Sequence, residues 1–205
     1  MGGGYGPLRR GRRPWLQPDH ARPPGELLDD DRLAFLGTLD ATVVHVLPSG
    51  SIRLLRAQPH LTGIGFDLPT SGPAFEKAVA RGGLDDRLSF AGGDFRTSGF
   101  PAADAVVFGH VMIDWDVEVG RMLLAKAYEA LPEGGAVLIY DTLVGEDRRD
   151  SVGALIVSLH MLVDQRGGKG CTTEECFGRL KDAGFRDCRV QPLTGTTDHL
   201  STAVK

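Results

Sequence analysis

Residues 103–141, ADAVVFGHVMIDWDVEVGRMLLAKAYEALPEGGAVLIYD, decide the fold. ADAVVF (103–108) and AVLIYD (136–141) are short runs rich in Val, Ile, Leu and Phe, apolar on both faces, as strands buried on both sides are. The segment between them changes period. Val119, Met122, Leu123, Ala127 and Leu131 recur at helical spacing, and Gly134 follows as a stop signal. A strand, a helix and a second apolar strand make a parallel β-α-β unit.

Working outward, the same alternation extends in both directions. ATVVHV (41–46), LTGIGF (61–66) and RLSFAG (87–92) read as further buried strands, with SIRLLRAQ and GPAFEKAVARG as the helices between them. The expected architecture is a doubly wound, mostly parallel α/β sheet with helices on both faces. Downstream, SVGALIVSLHMLVDQ is apolar almost all round, which predicts a helix buried on several sides. TTEECFGRLKDAGF carries a capping box at Thr172 and Glu175 and a C-terminal stop at Gly184. CRVQPL and HLSTAVK, joined by a TGTTD turn, predict an antiparallel hairpin at the sheet edge.

Residues 1–38 read differently. They concentrate Gly, Pro and Arg, with Arg9, Arg10, Arg12 and Arg13 nearly adjacent, and cannot bury enough apolar surface to offset their ordering entropy. They are expected to be an irregular extension, with one domain over 39–205. The 205 residues carry a net charge of −4, which excludes nucleic acid as an overall electrostatic partner. No apolar run reaches the roughly 18–20 residues that span a bilayer, and no apolar stretch follows the N-terminal arginines. A cytoplasmic protein with three reduced cysteines, Cys171, Cys176 and Cys188, is the expectation. The six histidines show neither HxH nor HxxxH spacing, so no metal is expected.

Open α/β sheets bind ligands beyond the carboxyl ends of their strands. Asp67 stands at such an end in FDLP, where a carboxylate can accept both hydrogens of a ribose diol. Asp94 stands at the next, in GGDF, where it can meet an adenine amine beside Phe95. Each alone reads equally as a loop carboxylate or helix cap; together they favour a nucleoside. After the first strand the sequence is VVHVLPSGSIRLL, in which Gly50 is the one glycine left and no GxGxxG occurs.

FDLP (66–69), GDF (93–95), GHVMIDWD (109–116), AYEALPEGG (127–135), IYD (139–141), GGK (167–169) and AGFRD (183–187) resemble, in order and spacing, the C-terminal domain of SAM-dependent O-methyltransferases acting on phenols, hydroxyindoles and polyketides. The resemblance implies a Rossmann-like, seven-stranded sheet and S-adenosyl-L-methionine as cofactor, with Gly50, Asp67, Leu68, Asp94, Phe95 and Trp115 in its site. It implies in-line methyl transfer to the hydroxyl of a small aromatic or polyketide-like molecule, with a histidine deprotonating the acceptor. The chain departs from that pattern at several places. His45 stands where the family has an acid, Ile113 where it has the catalytic histidine, and Gly170 where it has one of two orienting carboxylates; the other falls at Asp141. His160, on a helix that lines the family's acceptor pocket, is the candidate substitute base. A catalytically impaired relative, binding without turnover, is the alternative expectation. The family implies a homodimer, although residues 1–38 are too short for its N-terminal dimerisation domain, and an exposed apolar surface is expected where that domain docks.

Overall fold

The computed structural model describes residues 42–46, 49–149, 151–165, 167–193 and 196–205. The extension over 1–38 and its boundary with the domain lie outside them. Along the described chain run β1 (Thr42–Val46), α1 (Ser49–Ala57), β2 (Thr62–Asp67), α2 (Gly72–Gly82), β3 (Leu88–Gly92), β4 (Ala105–Gly109), α3 (Val117–Ala130), β5 (Ala136–Thr142), α4 (Val152–Asp164), α5 (Thr173–Asp182), β6 (Arg186–Pro192) and β7 (Asp198–Val204). The seven strands form one sheet in the order β3-β2-β1-β4-β5-β7-β6. β1 to β5 pair in parallel, whereas β7 runs antiparallel to both β5 and β6. This is the Rossmann-like methyltransferase fold that the motifs imply. The C-terminal hairpin is present, with its second strand inserted against β5 and its first forming the edge.

Successive side chains of a strand point to opposite faces, so each inner strand supplies two cores. On one face Val44, Val106, Phe108, Val137 and Ile139 pack with Leu123, Leu124 and Ala127 of α3 and Leu180 of α5. On the other, Val43, Ala105, Val107 and Leu138 belong to a cluster with Leu54 and Leu55 of α1 and Phe75 and Val79 of α2. This double burial is why these strands read as apolar throughout. β3, at the opposite edge from β6, is only partly buried beyond Leu88.

Local signals hold the ends in place. The Asp116 carboxylate caps α3 by accepting the Val119 amide at 2.8 Å. Thr172 and Glu175 form the reciprocal capping box of α5, and Gly184, at φ +100°, turns the chain just past that helix.

α4 departs from its expected burial. Ala154, Ser158 and Met161 face inward, while Val152, Ile156, Leu159, Leu162 and Val163 are 55–82% exposed. These residues recur at helical spacing and make one outward apolar stripe. Composition alone could not distinguish a helix enclosed by this domain from one that presents its second apolar face outward. A variant carrying Ile156→Glu and Leu159→Glu should bind less hydrophobic dye than the parent. Its folding stability should shift by no more than about 0.5 kcal/mol, as for surface substitutions. A large loss of stability in denaturant titration would mean that the stripe is covered.

Candidate functional site

Among the described residues, two cavities lie at the carboxyl ends of β1 to β5. The larger, of about 330 Å³, is lined by Val46, Phe66, Asp67, Leu68, Asp94, Phe95, Val111 and Trp115, among others. Asp67 ends β2, and its carboxylate accepts the amide of Leu68 at 2.6 Å. Asp94 lies two residues beyond β3; its carboxylate accepts the Arg96 amide at 2.8 Å, and its carbonyl takes the amides of Thr97 and Ser98. The resulting turn brings Phe95 edge-on to Trp115, with ring centroids 5.3 Å apart. The Arg96 guanidinium covers the indole at 4.8 Å. Gly93 is required here, because a Cβ would meet the Phe66 ring at 2.7 Å. From α3, the Lys126 ammonium donates to the carbonyls of Phe95 and Ser98 at 2.5 and 2.8 Å. It therefore ties the loop after β3 to the helix.

Two carboxylates at neighbouring strand ends, between apolar and aromatic walls, suit a nucleoside: acceptors for the diol and the amine, flat surfaces for the base. Asp67, Leu68, Asp94, Phe95 and Trp115 are thus brought together in one place. Gly50 lies in the first turn of α1; Leu47 and Pro48 lie outside the described residues. At the end of β1, His45 is 2% exposed. Its Nε2 lies 3.2 Å from the Tyr140 hydroxyl, and its Nδ1 has no partner. Burial pushes the imidazole down to about 4, so it is neutral near pH 7. Burial first, then the neighbouring Asp141 and Asp198 side chains, push Tyr140 up to about 12. An uncharged pair therefore occupies the position of the expected acid.

The second cavity, about 20 Å³, lies beside Ile113 and Asp141 and is also lined by Met112, Lys169, Cys171, Cys176 and Arg179. That is room for one water-sized molecule. Ile113 is buried in the short turn Met112–Asp114, and its amide donates to Asp141 Oδ2 at 3.0 Å. Asp141 Oδ1 accepts the Thr142 amide, also at 3.0 Å. Burial drives Asp141 well above the usual carboxylate range, and these two amide bonds only partly oppose it. Gly170 donates its amide to Ser158 Oγ at 2.9 Å. A Cβ at Gly170 would meet Val144 at 3.0 Å and Ser158 at 3.1 Å, so the space for a carboxylate there is filled.

Beside this cavity, His110 follows β4 with φ +53°. Its Nε2 lies 3.5 Å from Asp198 and its Nδ1 3.9 Å from Asp141. The Tyr140 ring meets it edge-on at 5.3 Å. His160 does not join Asp141. It sits exposed on α4 and lines neither cavity. Sequence reasoning missed Lys126, Arg96, Tyr140 and Arg179. Lys126 and Arg96 read as ordinary surface charges, and Tyr140 as one more apolar strand position. Their roles come from partners that are distant in sequence.

The buried imidazole sets an acid limit on stability. Unfolded, His45 titrates near 6.5; folded, near 4. Its contribution is present above pH 6.5 and is lost as pH falls towards 4, amounting to about 3 kcal/mol. In denaturant titrations across that range, His45→Gln should lose less stability than the parent, because glutamine can bond Tyr140 without titrating. Identical acid loss in both proteins would place its origin elsewhere.

A family model described as an O-methyltransferase domain matches residues 52–186. The tetracenomycin polyketide synthesis 8-O-methyl transferase TcmO of Streptomyces glaucescens is 39% identical over 143 residues, covering 70% of this chain and 42% of TcmO. The N,N-dimethyltransferase OxyT of Streptomyces rimosus is 40% identical over 156 residues, covering 75% of this chain and 44% of OxyT. The chain therefore spans less than half the length of these relatives. Among solved structures, an O-methyltransferase family 2 protein from Planctomyces limnophilus, complexed with apigenin, superposes with a TM-score of 0.75 at 28% identity. That match covers 80% of this chain and 51% of the other. Human N-acetylserotonin methyltransferase in complex with SAM gives 0.73 at 26% identity, covering 80% and 47%. By its sequence over these residues and by the architecture just described, the chain belongs to the O-methyltransferase domain family.

Proposed function

We propose that this chain binds S-adenosyl-L-methionine in the larger cavity and supports methyl transfer to a hydroxyl of a small aromatic or polyketide-like molecule. The observation that carries this reading is the convergence of Asp67, Asp94, Phe95 and Trp115 on one cavity of about 330 Å³. Asp67 is assigned to the ribose hydroxyls and Asp94 to the adenine amine. Leu68, Phe95 and Trp115 exclude water from the base, and Gly50 lies nearest the altered first loop. The bound cofactor supplies an electrophilic methyl group. The relatives' names support the acceptor class, since they include a polyketide 8-O-methyl transferase and a 3-hydroxy-5-methyl-1-naphthoate 3-O-methyltransferase.

Within this chain, Asp141 is the group placed to influence an acceptor proton. Burial raises its affinity for a proton above that of an ordinary carboxylate. Ile113 cannot take a proton, so positioning is left to supply most of the acceleration. His160 would serve as base only for an acceptor held over the outer side of α4. His160→Ala tests that role: unchanged turnover removes it.

Calorimetric titration with SAM and S-adenosylhomocysteine is the primary test. Binding is expected, and Asp67→Ala should weaken it by about 10-fold or more, as loss of hydrogen bonds to a charged group does. Lys126→Met should also weaken binding, by releasing the loop that carries Phe95. Ile113→His, beside Asp141, should raise transfer to a phenolic acceptor by about 10²-fold if the missing base limits turnover. Failure of the parent chain to bind either ligand would refute the reading.

A further inference from the structure

The small cavity beside Ile113 holds chemistry that methyl transfer does not use. Cys171 precedes the α5 cap, Thr172, and Cys176 is the fourth residue of that helix. In a capped helix these two positions meet as a staple across the first turn. Here the staple is made of thiols. The Thr172 hydroxyl accepts the Glu175 amide at 3.2 Å, and the Cys171 carbonyl accepts the Val144 amide at 3.0 Å. Both cysteines are therefore held by backbone anchors on either side. The two cysteines border the same small cavity, and Cys171 packs against the core cluster that contains Cys176. Its neighbours Cys171 and Ser201 and the nearby Arg179 cation hold the Cys176 thiol below its ordinary value, against the opposing effects of burial and Asp141. The neighbouring Cys176, together with burial, holds Cys171 above its ordinary value. Both residues line the cavity of about 20 Å³ with Lys169 and Arg179, a space with room for one water-sized molecule. Cys188, on β6, does not line it.

We propose that Cys171 and Cys176 form a reactive dithiol that a peroxide oxidises to an intramolecular disulfide. The Cys176 thiolate attacks one peroxide oxygen; the O–O bond breaks, and the departing hydroxide takes a proton to become water. Cys176 is left as a sulfenic acid. The Cys171 sulfur then attacks Cys176, the S–S bond forms, the S–O bond breaks, and the second oxygen leaves as water with the Cys171 proton. Two thiols lose two electrons, and one hydrogen peroxide becomes two waters. The nearby Arg179 cation favours the thiolate that starts the sequence. The site is independent of the methyl-transfer reading, although oxidation would remodel the wall shared with Asp141.

The test treats the full chain with hydrogen peroxide, then alkylates it under denaturing conditions for peptide mass spectrometry. The expected result is loss of two of the three thiols, a linked Cys171–Cys176 peptide, an alkylated Cys188 and full reversal by dithiothreitol. Cys188→Ser should give the same linkage. In Cys171→Ser, which retains a hydrogen-bond donor, dimedone should trap Cys176 as its sulfenic acid. Survival of all three thiols under peroxide that oxidises free cysteine in the same buffer overturns the proposal. So does linkage through Cys188, or absence of the dimedone adduct in a Cys171→Ser variant whose circular dichroism matches the parent.

Discussion

The central strands β1, β4 and β5 are shielded from water on both faces, so polar side chains can leave the sheet without penalty only where the strands end. Val43 and Val44, Ala105 and Val106, and Val137 and Leu138 alternate between two cores, and all are 4% exposed or less. The carboxyl ends of the parallel strands point the same way and open towards the same loops. Asp67, Asp94, His110 and Asp141 therefore come within one region although 74 residues separate the first from the last in sequence number. α3 contributes twice: its buried side closes one core, and Lys126 fixes the loop that carries Phe95.

The two cavities differ in how much water they keep, and their chemistry follows. The larger has half-buried carboxylates between aromatic walls, an environment that can match a polar nucleoside. The smaller has room for about one water, and Asp141 beside it is almost fully buried. There burial opposes ionisation of Asp141, and the backbone amides of Ile113 and Thr142 do not fully restore it. Cys171 and Cys176 line the same small space.

Where the chain departs from the family pattern, the structure is packed rather than vacant. His45 meets Tyr140, which crosses Gly109 so closely that a Cβ there would strike its hydroxyl. Ile113 is buried and lends its amide to Asp141. Ser158 and Val144 take the room beside Gly170. Each replacement is matched by a neighbour from another element, so reversing one residue alone would meet a pocket shaped for its present occupant. Ile113 is the most open to reversal, because a bonded carboxylate already lies next to it.

Much of the fold was legible in the sequence. The period-two apolar runs, the helical period over 119–131, the Thr172–Glu175 box and the final hairpin are local patterns. Each expresses a backbone geometry that needs no distant partner to be recognised. That Asp67, Asp94 and Phe95 fall at one end of the sheet was legible because strand ends can be counted along the chain. The outward face of α4, the solvent position of His160, the clamp from Lys126, the His45–Tyr140 pair and the meeting of thiols with Asp141 were decided by tertiary structure. Those features depend on which surfaces of separate elements meet, and a one-dimensional pattern carries the period of a face but not what lies against it.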